Sequence, residues 1–361
     1  MSCLVRCMHP RIAVAVSAAF IAAAALFTAA LTSAVDVRAQ DTAGVTSSMR
    51  AEFPLTDFSS RTVPLTEFLS GGPPRDGIPP IDDPRFAELG SGNTFVAALA
   101  DREPVVSVAL NGDARAYPLR ILMWHEIVND EIGGIPVTVT YCPLCNTAIS
   151  FDRRLDGPGS EVMDFGTTGR LRHSDLVMYD RQTETWWQQF TGEGLVGKHA
   201  GRKLTMVASR LESFGRFRER HPDGSVLVPT NPGMRDYGRN PYTNYDAEGG
   251  MPFLYSGAMP AGVEPMSRVV AYETGDGHAA ITLAALRAAG RIETGDLVLT
   301  WEEGQASALD APRVSAGRDV GNVVVQQRRP DGTMRDAVHD VTFAFAFHAF
   351  RPDAPIHTSA P

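Results

Sequence analysis

The stretch "VVSVALNGDARAYPL", residues 105–119, reads as two short strands around Asn111-Gly112-Asp113. Asn-Gly readily supplies the left-handed residues that a tight antiparallel hairpin needs. Upstream, residues 40–103 lack periodicity and are rich in Pro, Gly, Ser and Asp, as in "SGGPPRDGIPPIDDPRF". That composition predicts an extended segment wrapping a core supplied elsewhere. Downstream, "LRILMWHEIVND" (119–130) is apolar almost all round a helical wheel, which predicts a short buried helix. "IPVTVTY" (135–141) and "TAISFD" (147–152) alternate with the β-branched bias of strands. "DLVMYDRQTETWWQQF" (175–190) predicts a hairpin turning at Asp180 to Thr183, and "RLESFGRFRERHPDG" (210–224) a helix burying Leu211, Phe214 and Phe217.

The chain then repeats itself. "RVVAYETGDGHAAITLAAL" (268–286) echoes residues 105–122, and "TGDLVLTWEEGQASALD" (294–310) echoes 133–152, setting Trp301 opposite Tyr141 and Glu302 opposite Cys142. The closing "VTFAFAFHAF" (341–350) predicts a strand with Phe343, Phe345 and Phe347 on one face and His348 on the other. The expected fold is α+β, predominantly antiparallel β with a few short helices, built by internal duplication of a hairpin-helix-strand unit. Its first half is 104–228, a Gly/Pro/Tyr-rich loop follows at 229–262, a degenerate second half occupies 263–351, and 352–361 is a tail. The second copy has neither cysteines nor a counterpart to His125, so chemistry is expected in the first.

Residues 1–39 read as a signal peptide or an N-terminal anchor. Arg6, His9 and Arg11 precede an uncharged run from Ile12 to Ala34, and Val37-Arg38-Ala39 offers a cleavage site. The expected location is periplasmic or secreted. Cleavage removes Cys3 and Cys7 with three arginines and one aspartate, taking the formal charge from −9 to −11. So acidic a chain disfavours nucleic acid as a partner. Two remaining cysteines are too few for a disulfide framework, so folding must rest on core burial, for which 43% apolar residues suffice.

Those two cysteines are Cys142 and Cys145, in "TYCPLCNTAISFD" (140–152). Residues i and i+3 of a straight strand face opposite ways, so the sulfurs converge only if the chain turns, and Pro143 presets the turn. Such a hook either chelates a soft or borderline metal or cycles between dithiol and disulfide. A thioredoxin-type site is disfavoured because a strand, not a helix, follows Cys145. A zinc ribbon lacks its second cysteine pair, so a third ligand must come from histidine or carboxylate, and His125 in "MWHEIVND" is the candidate. Gly166 and Gly169 read as turn glycines rather than a phosphate cradle. Arg170, Asp175, Arg181 and the Trp186-Trp187 pair could line a pocket, with Arg235, Tyr237 and Tyr245 from "RDYGRNPYTNYD" over the same site. His173, His199 and His221 sit in polar contexts and read as surface. No Gly-x-Ser-x-Gly, His-Glu-x-x-His or calcium-loop spacing supports a hydrolase or calcium reading.

Several of these stretches, "GGPPRDGIPPIDDPRF", "MWHEIVND", "TYCPLCNTAISFDRR", "TTGRLRHSDLVMYDRQTETWWQQFTGEGLVG" and "RDYGRNPYTNYD", together resemble the bacterial domain-of-unknown-function family 3179 over roughly residues 55–351. The resemblance marks Trp124, His125, Cys142, Cys145, Asp175, Tyr179 and Trp187 as the family's motif positions and implies no reaction. His348 departs from the pattern, standing where an aromatic or small residue is usual. The functional expectation is metal binding, copper or zinc, by Cys142, Cys145 and His125, with a metal ion or small molecule as partner. The competing expectations are a thiol-disulfide or other redox enzyme using the pair without metal, and a binding module in which the pair is a structural disulfide.

Overall fold

A computed structural model describes residues 44–360, so the N-terminal signal or anchor lies outside the described residues. The chain begins with a strap comprising α1 (Ser47–Glu52), β1 (Phe68–Ser70), β2 (Arg85–Glu88) and α2 (Thr94–Ala97). The first copy follows: the hairpin β3 (Pro104–Leu110) and β4 (Asp113–Pro118), helix α3 (Leu119–His125), and the meander β5 (Ile127–Ile132), β6 (Ile135–Cys142) and β7 (Thr147–Asp152). An inserted sheet comes next, β8 (Phe165–Arg172), β9 (Asp175–Asp180), β10 (Trp186–Gln188) and β11 (Gly194–Val196). Strands β12 (Met206–Val207) and β13 (Arg210–Ser213), helix α4 (Phe214–Arg220) and β14 (Ser225–Val228) close the copy. The second copy runs β15 (Arg268–Thr274), β16 (Gly277–Thr282), α5 (Leu283–Ala289), β17 (Arg291–Thr294), β18 (Leu297–Glu302), β19 (Asn322–Arg328), β20 (Met334–Asp336), β21 (His339–Phe343), α6 (Ala344–Phe350) and β22 (Ile356–His357).

The protein is thus mostly antiparallel β with few short helices, in five small sheets, and the duplication holds strand for strand. In copy one β13 pairs antiparallel with β3 and β14 parallel with β4; in copy two β21 pairs antiparallel with β15 and β22 parallel with β16. The meanders correspond as well, in the orders β12-β7-β6-β5 and β20-β19-β18-β17. Even the junctions match: Tyr141 N donates to Glu126 O at 2.8 Å, and Trp301 N to Gly290 O at 3.0 Å. Trp301 and Glu302 therefore occupy the positions of Tyr141 and Cys142, as the sequence echo places them. Copy two differs where copy one carries its cysteines: residues 303–321 stand in place of the four-residue turn Pro143 to Asn146.

The predicted Asn111-Gly112 hairpin is present, with both residues left-handed at φ 50° and 87°. Three predicted elements need correction. "LRILMWHEIVND" is helix only to His125 and continues as β5; "RLES" is strand β13, so Leu211 is not helical; and the Phe-rich terminus is strand only to Phe343 and then α6. Burial explains the errors: α6 buries Ala344, Phe345, Ala346 and Phe347 together, so no polar face marks its period.

One continuous core joins the two copies and takes in Ile81 of the strap, running from Ile81 to Phe347. A second cluster forms where the strap meets the inserted sheet: Phe53, Phe58 and Phe68 set ring edges against the fully buried Trp186 at centroid distances of 5.3, 5.6 and 5.1 Å. Each such contact stabilises by about 1 kcal/mol beyond burial. Gly166 and Gly169 make room for the strap: a Cβ on Gly169 would sit 2.0 Å from Pro73 O, and one on Gly166 2.5 Å from Asp76 Oδ1.

Candidate functional site

Strands β6 and β7 are joined by Pro143, Leu144, Cys145 and Asn146, with Cys142 facing Thr147 across the ladder. Asn146 takes the left-handed conformation (φ 55°) and its N–H donates to Pro143 O at 3.3 Å, so the chain turns sharply and both thiols end on one side. Copy two clamps the turn: Asn146 Nδ2 donates to Val341 O at 2.6 Å, and Phe343 N and Thr342 Oγ1 donate to Cys145 O at 3.1 and 2.9 Å. Against this turn comes a second one, the His173-Ser174 corner of the β8–β9 hairpin, both residues left-handed at φ 54° and 66°. The thiols of Cys142 and Cys145 lie 3.8 and 3.4 Å from Ser174 O. Asp175 follows immediately, and its carboxylate and the two sulfurs lie within 4.8 Å of one another.

The group is sealed. Cys145 and Asp175 are 0% exposed, Cys142 2%, and both cysteines are free thiols. Gln188 Nε2 and Phe190 N donate to Asp175 Oδ1 at 2.7 and 3.0 Å. Burial nevertheless pushes the Asp175 carboxyl up to about 7. Both thiols are also pushed up, by burial first, with the negative charge of Asp175 adding to each. Glu126, the residue after α3, is buried and is pushed up to about 8 by burial and by Asp175. No cation lies within ion-pair distance of Asp175 or Glu126 among the described residues. The two thiols and Asp175 thus converge without a counter-charge, with Glu126 acting electrostatically on Asp175 and Cys142, and the three could hold a metal ion.

His125 is not a member of this group. Its Nδ1 meets Pro79 O at 2.7 Å and its Nε2 meets Tyr237 OH at 2.8 Å, with the two rings stacked. Both nitrogens are committed to Pro79 and Tyr237, so the carboxylate of Asp175 takes the position expected of the imidazole. Trp124, whose Nε1 is buried without a partner, and Arg235, whose charge reaches His125, belong to that same neighbourhood. Arg170, Tyr179 and Arg181 anchor the strap instead: Arg170 pairs with Glu52, Tyr179 donates to Asp76, and Arg181 pairs with Asp82 at 2.8 Å. Trp187 is fully buried and donates to Asp180 at 2.8 Å. His348 lies half-buried on α6, outside the group.

The predicted surface histidine His173 is half-buried, edge-on to Phe350 and Tyr255 beside the thiols. Tyr245 caps the cysteine turn, donating to Leu144 O at 3.0 Å and accepting from Phe253 N at 3.2 Å, while Ser174 Oγ donates to Phe253 O. Glu126 and Ser174 escape the sequence reading. For Glu126 a signal existed: extending the internal echo a few residues sets Gly290 opposite it.

Fold and site together define a duplicated, mostly antiparallel β protein with a buried dithiol-carboxylate group in one copy. The chain belongs to the family described as protein of unknown function (DUF3179), which matches residues 75–354. No curated protein and no solved structure matches it.

Proposed function

We propose that the protein is an exported metal-binding protein in which Cys142, Cys145 and Asp175 bind one transition-metal ion, zinc in preference to copper. The observation that carries this reading is the meeting of three deprotonatable donors from two separate hairpins within 4.8 Å, with no cation opposite. Two sulfurs and a carboxylate suit a borderline divalent ion, whereas Cu(I) is satisfied by soft donors alone. A divalent charge also offsets more of the buried negative potential. The redox alternative is weaker, because a reactive thiol sits partly exposed beside positive charge, while these are enclosed, and burial first and the nearby acids second push both thiols up.

The test is metal analysis of residues 40–361 purified without chelator or affinity metal, with thiols counted on the same sample. About one equivalent of zinc, absent from Cys142→Ser, is expected. No metal in the wild type together with a disulfide that mild reductant opens reversibly would establish the redox pair instead.

A further inference from the structure

The two copies provide an internal control for the residue that ends the first helix. Glu126 and Gly290 are the same position: each is left-handed, at φ 58° and 69°; each donates its N–H to the helix, to Leu122 O at 2.7 Å and Leu286 O at 2.8 Å; and each accepts from the strand beyond, from Tyr141 or Trp301. Copy two fills the position with glycine, the residue that adopts this conformation without steric penalty. Copy one, which holds the cysteines, fills it with a glutamate that is strained there and buried at 7% exposure. Its carboxylate makes no hydrogen bond or ion pair among the described residues, and it interacts electrostatically with Asp175, Cys142 and Tyr242. A largely buried acid without a protein partner, held in a strained conformation, works against folding, and such residues cluster at functional sites.

We propose that Glu126 is the fourth ligand of the ion held by Cys142, Cys145 and Asp175, and that it makes the site select a divalent ion over Cu(I); this rests on the metal reading above. The carboxylate is outside the tight group of three, but a glutamate side chain has three torsions, and this one has no bond to break as it turns inward. The result is a two-sulfur, two-oxygen set that fills a tetrahedral shell, the arrangement of a closed zinc site. Cu(I), content with two thiolates, gains little from the second carboxylate.

The experiment titrates metal-free wild type, Cys142→Ser, Glu126→Gln and Glu126→Gly with Zn²⁺ and separately with Cu(I), each against a competing chelator, and records thermal unfolding of the metal-free forms. Both Glu126 variants are expected to lose zinc affinity by roughly tenfold or more, with Cu(I) affinity within about twofold of wild type. Glu126→Gly, which installs the residue of copy two, is expected to raise the metal-free Tm by roughly 2 °C, because it removes left-handed strain and the need to bury a carboxyl. A purely structural glutamate would lower that Tm and weaken both metals alike, which overturns the proposal. Unchanged zinc affinity in both variants overturns it too while leaving the three-ligand site intact. Absence of zinc binding in the wild type removes the metal reading itself and the proposal with it.

Discussion

Asp175 and Glu126 carry the acid–base behaviour of the site, and the direction of their effect follows from burial. A carboxyl held at about 7 or about 8 in the folded chain, against an ordinary value near 4, favours the fold only while protonated. That contribution is complete below the unfolded value and is lost as pH rises through the folded one, so the metal-free protein is expected to lose Tm between about pH 5 and pH 8. Asp340, buried and also held at about 7, acts in the same sense. A bound divalent ion displaces those protons, so the loaded protein is expected to hold or gain Tm over the same range. Thermal unfolding of both forms across pH checks this, and parallel curves would count against a metal at the carboxylates. The cysteine hook was legible in sequence because Pro143 and the i, i+3 spacing are local. The partnership with Asp175 was not, because it depends on a second hairpin meeting the first through the Ser174 corner, and no local pattern encodes that contact.

At the scale of elements, the same junction recurs four times: a strand runs without a loop into a seven-residue helix. Pro118, Ser213 and Phe343 precede their helices in extended conformation without a side-chain cap, and only Thr282 caps, accepting from Ala285 N at 3.3 Å. Missing caps hide three of these starts from sequence, and broad burial hides the period of α3 and α6, whereas the hairpins announce themselves through Asn-Gly and Gly-Gly turns. Two left-handed glycines separate turn geometry from packing. A Cβ at Gly112 (φ 87°) meets nothing within 4 Å, so Gly112→Ala is expected to cost about 1 kcal/mol from backbone conformation alone. Gly169→Ala adds a collision with Pro73 O to the same penalty at φ 69°, and should cost about 2–4 kcal/mol. It should also free the strap for proteolysis near residues 71–82. Urea unfolding with timed protease digestion measures both, and equal effects at the two glycines would show that the strap does not bear on β8.

For the whole molecule, duplication lets one copy serve the other. In place of the cysteine turn, residues 303–321 hold the segment that covers the site: Asn240, Asn244 and Tyr245 donate their N–H groups to Pro312, Asp310 and Leu309 at 2.8–2.9 Å. That segment brings Tyr237 to His125 and Tyr245 over the cysteine turn. Asp246 pins it, with a fully buried carboxylate paired to Arg268 and Arg318 at 2.8 Å and accepting from Ser307 Oγ at 2.8 Å. The two arginines differ in exposure, 7% and 49%, and so should their loss. Asp246→Ala strands a buried guanidinium and is expected to destabilise the fold by about 3–5 kcal/mol. Arg318→Ala leaves Asp246 bonded to Arg268 and Ser307 and is expected to cost about 1 kcal/mol or less. Because it loosens the cover, it should speed chelator-driven release of zinc several-fold at nearly unchanged equilibrium stability. An unchanged release rate in Arg318→Ala would mean that the ion leaves by another route, and that copy two supports the site only through the clamp of β21 on the cysteine turn.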